Sequence, residues 1–291
     1  MSQHDEALAG ERPHPALTFA SHAVLIAVSV VVLYPVLWVV RMALSPTQAF
    51  STGLSPIPTD VTLQNFVDVV GATDVQGTWV FGHQLSNSIA ISAATAVVGV
   101  GLATSAAYAF SRFRFPGAST GLRALLVTQM FPGTMMMIPL YILLDVLDLL
   151  DSQLGLVLVY ATTSIPFSTF MLKGYFDTIP TELEEAARMD GASTARIFFS
   201  IILPLARPAI AVTALFSFMT AWNEFILAAK LMNNETSYTL PVVLQGYVGA
   251  KSTAWGHFAA GAIIVSLPVM ALFFALQRHL VEGLTSGSVK G

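Results

Sequence analysis

Long stretches without charged side chains alternate with short polar segments along this chain. A helix needs about 20 consecutive apolar residues to cross the hydrocarbon core of a bilayer. Six stretches come close to that length, and all are much longer than an ordinary β-strand. They are residues 23–40, a segment within 85–111, and residues 124–144, 152–172, 208–229 and 258–277. The pattern predicts an all-α, polytopic membrane protein with six transmembrane helices.

Composition agrees with a chain embedded in lipid. Of its 291 residues, 55% are hydrophobic and only 10% are charged, whereas soluble domains carry roughly 25% charged residues. The mild net charge of −4 argues against nucleic acid as a partner. The absence of cysteine excludes disulfides, and the six histidines are too scattered for a zinc motif. We therefore expect this chain to bind no metal and no cofactor.

The distribution of Lys and Arg sets the expected orientation, because cytoplasmic loops of membrane proteins are enriched in these residues. With a cytoplasmic N-terminus, six crossings place three of the 13 basic residues outside: Arg41, Lys230 and Lys251. The others face the cytoplasm: Arg12, Arg112, Arg114, Arg123, Lys173, Arg188, Arg196, Arg207, Arg278 and Lys290. Both termini are therefore predicted to be cytoplasmic.

The ends of the chain are predicted to be short polar tails. Asp5, Glu6 and Glu11 precede the first apolar stretch, where a signal peptide would carry basic residues, so the first span is expected to remain in the mature protein. We predict a cytoplasmic tail at residues 1–20, a membrane domain at 21–282 that includes a cytoplasmic loop at 179–208, and a second cytoplasmic tail at 283–291.

Prolines and glycines mark irregular points in the spans. The prolines are Pro35, Pro132, Pro139, Pro166 and Pro268. Each removes a backbone donor and can kink a helix, which would reflect either uneven packing or the bent walls of a cavity. Gly99 and Gly101 give the second span a small-residue face that suits close helix packing.

The loop at residues 179–208 reads IPTELEEAARMDGASTARIFFSIILPLARP and carries clear helix signals. Thr181 and Glu184 have the spacing of a capping box, in which each side chain accepts a bond from the other residue's amide. Gly191 suits a left-handed helix end, and Ser193 suits the start of a second helix. The loop therefore predicts two short helices joined at a glycine corner and leading into the fifth span.

The first of these helices has a narrow apolar stripe. Leu183, Ala186 and Ala187 lie three and four positions apart, on one face. Small side chains let a helix sit deep in a groove of a partner protein, although a plain surface loop would show the same pattern. We favour a partner, because a capped, partly apolar helix on the inner face of a membrane protein has apolar surface to cover.

The string EEAARMDGA at 184–192, followed by Leu-Pro at 203–204 and by Pro208, resembles the cytoplasmic EAA loop of permease subunits in bacterial ABC importers. Further strings resemble the carbohydrate branch of that family, in particular the smaller permease of maltose/maltodextrin importers, and extend the likeness to residues 20–291. They are AYAFSRFRFPG (107–117), QMFPG (129–133), KGYFDTIP (173–180), SYTLP (237–241) and QRHLVEGLTSGSVKG (277–291).

The resemblance implies a type I ABC importer permease in the bacterial inner membrane. It implies a coupling helix that docks on an ATPase subunit through Glu184, Glu185, Ala186, Ala187, Asp190 and Gly191. It also implies a second, homologous permease as heterodimer partner, two ATPase subunits, and an extracytoplasmic sugar-binding protein that meets the loop at about 233–257. The tail at 283–291 would approach the ATPase pair.

ATP and magnesium are then expected on the ATPase subunits, so that this chain is a transport subunit and no enzyme. The string GAKST at 249–253 superficially resembles a phosphate-binding loop, but it lacks the glycine spacing of that motif and falls in an outer loop.

Five residues are candidates for lining the translocation path: Glu224, Asn223, Trp222, Gln129 and Tyr141. Glu224, near the outer end of the fifth span, either lines the path or makes a structural hydrogen bond, and the sequence leaves both open. For Gln129 we favour hydrogen bonding between helices over lining the path, and the rings are explained equally by packing.

The predicted function is sugar import by alternating access, with maltose or maltodextrin as the first candidate. An importer of the same architecture for trehalose, another oligosaccharide or glycerol phosphate stays open. A membrane enzyme or a stand-alone channel is the alternative of a different class. Only the importer needs a separate ATPase subunit, so that requirement distinguishes it from this alternative.

Overall fold

The computed structural model describes residues 15–50, 53, 55–58, 60–249 and 253–286, with side chains as far as residue 277. These ranges are helical apart from loops and two isolated β-bridges. The helices are α1 (Pro15–Leu44), α2 (Gln64–Val70), α3 (Phe81–Arg112), α4 (Ala118–Thr128), α5 (Met137–Val146), α6 (Gln153–Phe176), α7 (Glu182–Met189), α8 (Thr194–Ile197), α9 (Leu203–Leu205), α10 (Arg207–Asn223), α11 (Ala228–Leu231), α12 (Leu240–Gly246) and α13 (Trp255–Ser286). A 3₁₀ turn (Gly133–Met136) precedes α5, and a π turn (Phe198–Ile202) joins α8 to α9.

Four helices in the described ranges are long and apolar enough to cross a membrane by themselves: α1, α3, α6 and α13. They contain the predicted first, second, fourth and sixth spans, except that Ser152 is the cap before α6. Helix α1 begins at Pro15, inside the predicted N-terminal tail, and α13 continues to Ser286, inside the predicted C-terminal tail. The rest of both tails, residues 1–14 and 287–291, lies outside the described residues.

The predicted third span, residues 124–144, is not one continuous helix. Helix α4 ends at Thr128, and the helix that resumes at Gly133 is bent away from it by 96°. Pro132 has an extended ψ of 131° between them. Proline has no amide hydrogen and disfavours a helical conformation in the residue before it, which explains the break. A hydropathy pattern cannot reveal such a bend, because both arms are apolar.

The predicted fifth span, residues 208–229, also differs from the structure. Helix α10 ends at Asn223, and Glu224 leaves the helical conformation with ψ of 127°. At its other end, α10 is bent by 76° relative to the segment Thr194–Leu205. If each bent pair forms a single span, the described residues contain up to six membrane crossings by length and composition.

Helices α3, α6 and α10 pack together as the centre of the fold. Small side chains permit this close approach, since a Cβ atom added to Gly99 of α3 would lie only 2.4 Å from the Oγ atom of Ser164 in α6. A Cβ added to Gly101 would meet nothing within 4 Å. Of the predicted small-residue face, Gly99 therefore lies at the helix contact and Gly101 does not.

The first turns of α3 also hold the loop between α11 and α12. Gln84 Nε2 donates to the Glu235 carbonyl oxygen over 3.1 Å, and Asn87 Nδ2 donates to that of Thr236 over 2.7 Å. The Ser88 hydroxyl oxygen accepts a 2.7 Å bond from the amide of Leu240. The loop is thus fixed through its main-chain atoms.

Candidate functional site

Helix α7 lies in the loop between α6 and α10, and its C-terminal end is fixed by a glycine. Gly191 has φ of +81°, a left-handed conformation that glycine adopts without steric cost. The amides of Gly191 and Ala192 donate to the carbonyl oxygens of Arg188 over 3.0 Å and Ala187 over 2.9 Å. These two bonds form a Schellman motif, which confirms the predicted glycine corner.

The capping box predicted at the start of α7 is wrong. Thr181 makes no side-chain cap bond, and the Glu184 side chain is buried instead of returning to the Thr181 amide. Its Oε2 atom accepts a 2.9 Å bond from the Tyr108 hydroxyl, and its Oε1 atom accepts a 2.5 Å bond from Nε of Arg112. Charge-assisted bonds in a buried site are stronger than a cap at an exposed helix start, so the carboxylate turns inward.

Arg112 extends this link to the beginning of the loop. Besides its ion pair with Glu184, its Nη2 atom donates to the Ile179 carbonyl oxygen over 2.8 Å. Arg188 adds a longer contact, with Nη2 at 3.7 Å from Oε2 of Glu184. The last turn of α3 is therefore tied both to α7 and to the chain that leads into it.

The predicted docking residues lie on two different faces of α7, one turned inward and one exposed. Glu184 is buried, and Ala187 packs partly buried against the core cluster around Ile197. The other predicted docking residues are exposed: Glu185, Ala186, Asp190 and Gly191. Leu183 and Met189, which are 44% and 89% exposed, add apolar surface to the same short helix. The outward surface of α7 is thus partly apolar and the inward face is committed to the fold.

The predicted second helix of the loop is confirmed. The Ser193 hydroxyl oxygen accepts a 3.3 Å bond from the Arg196 amide and caps α8, which continues through the π turn and α9. On the other side of the loop, Asp177 accepts bonds from Lys173 Nζ (2.6 Å) and the Ser111 hydroxyl (2.7 Å). Although partial burial would raise the pKa of Asp177, these bonds and the nearby positive charges hold it below its usual value.

Glu224 makes the structural hydrogen bonds that one of the two sequence interpretations describes. Its Oε1 atom accepts a 2.9 Å bond from the Leu227 amide, and its Oε2 atom accepts bonds from the Ala228 amide (3.2 Å) and the Tyr160 hydroxyl (2.7 Å). The carboxylate therefore fixes the chain turn before α11 and joins it to α6. Whether it also lines a path stays a prediction.

Trp222 and Asn223 differ in exposure although they are neighbours. Trp222 is 1% exposed and stacks on Phe218 with ring centroids 5.4 Å apart. Asn223 is exposed and donates from Nδ2 to the Met219 carbonyl oxygen over 2.9 Å. Within this chain Trp222 is a core residue, and Asn223 alone of the pair is open to a path.

Gln129 and Tyr141 lie on two separate cavities. Gln129 donates from Nε2 to the Thr163 carbonyl oxygen over 3.0 Å and lines a cavity of about 640 Å³ beside the bend between α4 and α5. Tyr141, which is 43% exposed, lines a smaller cavity of about 210 Å³ together with Lys230. The five path candidates therefore do not form one continuous surface within this chain.

Sequence reasoning missed Tyr108 and Arg112 as partners of the loop. A usable signal was present, because the two residues lie four positions apart at the end of the second span and so share one helical face. An acidic residue in the loop between α6 and α10 was the natural partner for that face.

Nothing in the described ranges resembles a metal centre. Among the residues that the structure describes, no three His, Cys, Asp or Glu side chains are grouped to hold an ion. The GAKST string at 249–253 includes residues 250–252, which lie outside the described residues.

The fold and the loop together define a polytopic, helical membrane protein with an ordered helical connection ahead of α10. Residues 99–286 match the family described as binding-protein-dependent transport system inner membrane component. The chain belongs to this family, and it is a transport permease and not an enzyme, as its sequence indicated.

Named relatives support the assignment over nearly the whole chain. The galactooligosaccharides transport permease GanQ of Bacillus subtilis is 37% identical, with 93% of this chain and 95% of the relative covered. The trehalose transport permease SugB of Mycobacterium tuberculosis is 36% identical, with 89% and 93% covered. The maltose/maltodextrin permease MalG of Escherichia coli is 34% identical, with 98% and 100% covered, which confirms the resemblance seen in the sequence.

Solved structures show the same fold. A chain of a bacterial ABC transporter that imports the acidic polysaccharide alginate superposes with a TM-score of 0.73 at 25% identity, covering 92% of this chain and 98% of that one. A chain of the MetNI methionine ABC transporter has a TM-score of 0.58 at 16% identity, covering 71% of this chain and 97% of that one, and shows a likeness of fold alone.

Proposed function

We propose that this chain is one of two homologous permease subunits of an ATP-driven sugar importer in the bacterial inner membrane. The relatives named above transport galactooligosaccharides, trehalose and maltose or maltodextrin, so a neutral oligosaccharide is the class that they share. Maltose or maltodextrin and trehalose are the first two substrates to test. Two ATPase subunits supply ATP hydrolysis, and an extracytoplasmic binding protein delivers the sugar.

The observation that carries the mechanism is the attachment of α7 to the membrane domain. Its C-terminal end is fixed by the Gly191 corner, and its inward face is held by the buried Arg112–Glu184 ion pair. A helix held in this way moves as one piece with the end of α3. Closure of an ATPase pair against α7 therefore displaces α3, and with it the helices packed around α3, which opens one side of the path and closes the other.

The docking surface consists of the exposed residues of α7. Ala186 and Glu185 supply a small side chain and a charge, while Asp190 and Gly191 form the exposed corner. Glu184 and Ala187, which the sequence also assigned to docking, act from the inward side by holding α7 in position.

The test is reconstitution of this chain with its second permease, the ATPase and the binding protein, followed by ATP-dependent uptake of maltose, trehalose and a galactooligosaccharide. Uptake of at least one sugar is expected. Uptake without ATPase subunits would instead identify a stand-alone channel, and absence of uptake for every sugar would refute the proposal.

Docking is tested separately with a matched pair at Ala186. Ala186→Glu forces volume and charge into the contact and is expected to abolish co-purification of the ATPase and sugar-stimulated hydrolysis at normal membrane levels. Ala186→Ser keeps the size and is expected to behave as wild type. Normal ATPase association for Ala186→Glu would show that this face of α7 is not the docking surface.

A further inference from the structure

The cavity of about 640 Å³ beside Gln129 lies against the middle of α6. Its walls come from the bend between α4 and α5 and from residues 162–166, which are the centre of the 24-residue helix α6. Its volume is in the range of small-molecule binding sites. In secondary transporters, substrate sites lie near the bilayer midplane and are formed by discontinuous helices, and the break between α4 and α5 gives this cavity a similar wall.

Four polar side chains lie together on one wall of this cavity. Thr128, Gln129, Thr162 and Thr163 are all exposed within the chain and all line the cavity. The hydroxyls of Thr128, Thr162 and Thr163 donate to carbonyl oxygens of the preceding turn over 2.7, 2.7 and 2.8 Å, so their oxygen atoms can still accept bonds. Non-helical backbone at membrane depth, such as the break between α4 and α5, is tolerated only inside protein or beside water. The composition of this wall therefore favours contact with water and hydroxyl groups over contact with lipid chains.

The backbone adds an acceptor to the same wall. Pro166 lies inside α6 and has no amide hydrogen, so it cannot donate to the carbonyl oxygen of Thr162 four positions earlier. The next carbonyl oxygen, that of Thr163, takes a bond from Gln129 Nε2. The Thr162 carbonyl oxygen therefore lacks its usual i+4 donor, and a hydroxyl group can take that place.

Apolar surface completes the cavity. Phe131 is 58% exposed and Met136 43% exposed, and both line it. Among the described residues that form the lining, none is charged. A flat ring beside neutral hydrogen-bonding groups matches a sugar, whose ring has apolar faces and a rim of hydroxyls. The absence of a cationic group in this lining disfavours anionic solutes such as glycerol phosphate or an acidic polysaccharide.

We infer that this cavity is a binding subsite for one ring of a neutral saccharide in transit, contributed by this chain and centred on Phe131, Gln129 and the Thr162–Thr163 turn. The inference rests on the proposed function and deepens it, because it names the residues that contact the substrate and its charge class.

The native absence of cysteine permits a direct test in the reconstituted importer. Thr163→Cys places a thiol on the cavity wall, and Thr220→Cys is the matched control, an exposed threonine on α10 outside the lining. A hydrophilic maleimide is expected to label Thr163→Cys, and maltose or trehalose is expected to slow that labelling severalfold. Glycerol phosphate is expected to leave the labelling rate of Thr163→Cys unchanged. The labelling rate of Thr220→Cys is expected to be the same with and without each of the three solutes.

Several outcomes would overturn the subsite. They are failure of the maleimide to reach Thr163→Cys in the folded complex, labelling that sugar does not slow, and equal protection of Thr220→Cys. Wild-type uptake is measured in the same vesicles: uptake without protection refutes the subsite alone, whereas absence of uptake refutes the importer.

A second pair of variants measures transport itself. Phe131→Ala removes the exposed ring and is expected to slow sugar uptake by about tenfold, the scale of one lost apolar contact in a binding site. Phe273→Ala removes a ring of α13 that is 46% exposed and is expected to leave uptake unchanged. Equal uptake by the two variants would contradict the role given to Phe131.

Discussion

Arg112 and Glu184 lie 72 positions apart in the sequence, and Nε of Arg112 is 2.5 Å from Oε1 of Glu184. Their side chains are only 8% and 3% exposed, so the pair is buried at the junction of α3 and α7. Burial makes the link stiff, because separating the two charges would leave each of them without its partner in a poorly solvated site.

Glu184→Gln is expected to destabilise the protein. It leaves the Arg112 charge buried without a counter-charge, and breaking a buried pair in this way costs about 3–5 kcal/mol. The melting temperature of the detergent-purified complex measures the loss. Glu235→Gln, an exposed glutamate outside α7, is the control and should melt as wild type. A double change of Arg112 and Glu184 to Met should recover much of the loss, and failure to do so would mean that the ion pair is not its source.

Gly191→Ala is expected to cost about 1–2 kcal/mol, the price of a left-handed conformation for an L-residue. A Cβ atom at this position meets nothing within 4 Å, so the cost is conformational and not steric. Gly191→Asn should be milder, since Asn tolerates this conformation better. Stability should fall in the order glycine, asparagine, alanine at position 191. Thermal melting and ATPase co-purification measure it. An alanine variant as stable as wild type would contradict the assigned corner.

Gly99→Ala and Gly101→Ala form a matched pair on α3. The first places a methyl group 2.4 Å from Ser164 Oγ and is expected to cost about 1–3 kcal/mol by overpacking, whereas the second enters open space. Ser164→Ala should rescue the Gly99 variant, because it removes the clashing atom. Complex yield and melting temperature are the measurements. Equal stability of the two glycine variants would place the α3–α6 contact elsewhere.

Glu224→Gln and Tyr160→Phe test whether Glu224 acts in structure or in transport. If the carboxylate holds the turn before α11, its loss lowers stability by about 1–3 kcal/mol, and loss of the single Tyr160 bond lowers it less. Sugar uptake per folded complex should then stay near wild type. Unchanged melting with impaired uptake would reverse the assignment and make Glu224 a path residue.

Cysteine labelling in whole cells tests the predicted orientation. Thr236 and Ala195 are both exposed, and Ala195 leaves the Ser193 cap intact. An impermeant thiol reagent added from outside is expected to label Thr236→Cys and to spare Ala195→Cys until the membrane is opened. The opposite result would invert the topology that the Lys and Arg distribution predicts.

Much of the helical framework follows from the sequence. Long apolar runs predict α1, α3, α6 and α13, because nothing but a helix satisfies so many backbone groups in lipid. Local signals at Gly191 and Ser193 also predict the correct ends of α7 and α8, since both depend on the nearest few residues.

Features that depend on distant partners could not be predicted in this way. The local spacing of Thr181 and Glu184 favours a capping box, but the stronger bonds to Tyr108 and Arg112 prevail. The proline at 132 marks a possible kink in the sequence, but hydropathy does not reveal that the span breaks by 96°, because a window of about 20 residues averages over both arms. Sequence reasoning named Gln129 without the cavity that it lines, since that cavity exists only once the bend brings residues 129–136 beside α6.

The hydrogen bonds that link Gln84, Asn87 and Ser88 to residues 235–240 have an evolutionary consequence. The three side chains bond to two carbonyl oxygens and one amide of the loop, and every substitution except proline keeps these main-chain groups. The path of the loop therefore does not depend on the identity of its side chains. Exposed positions such as Thr236 are then free to vary. The side chains of this loop can therefore change over evolution on an unchanged backbone, without re-evolving the fold that presents them.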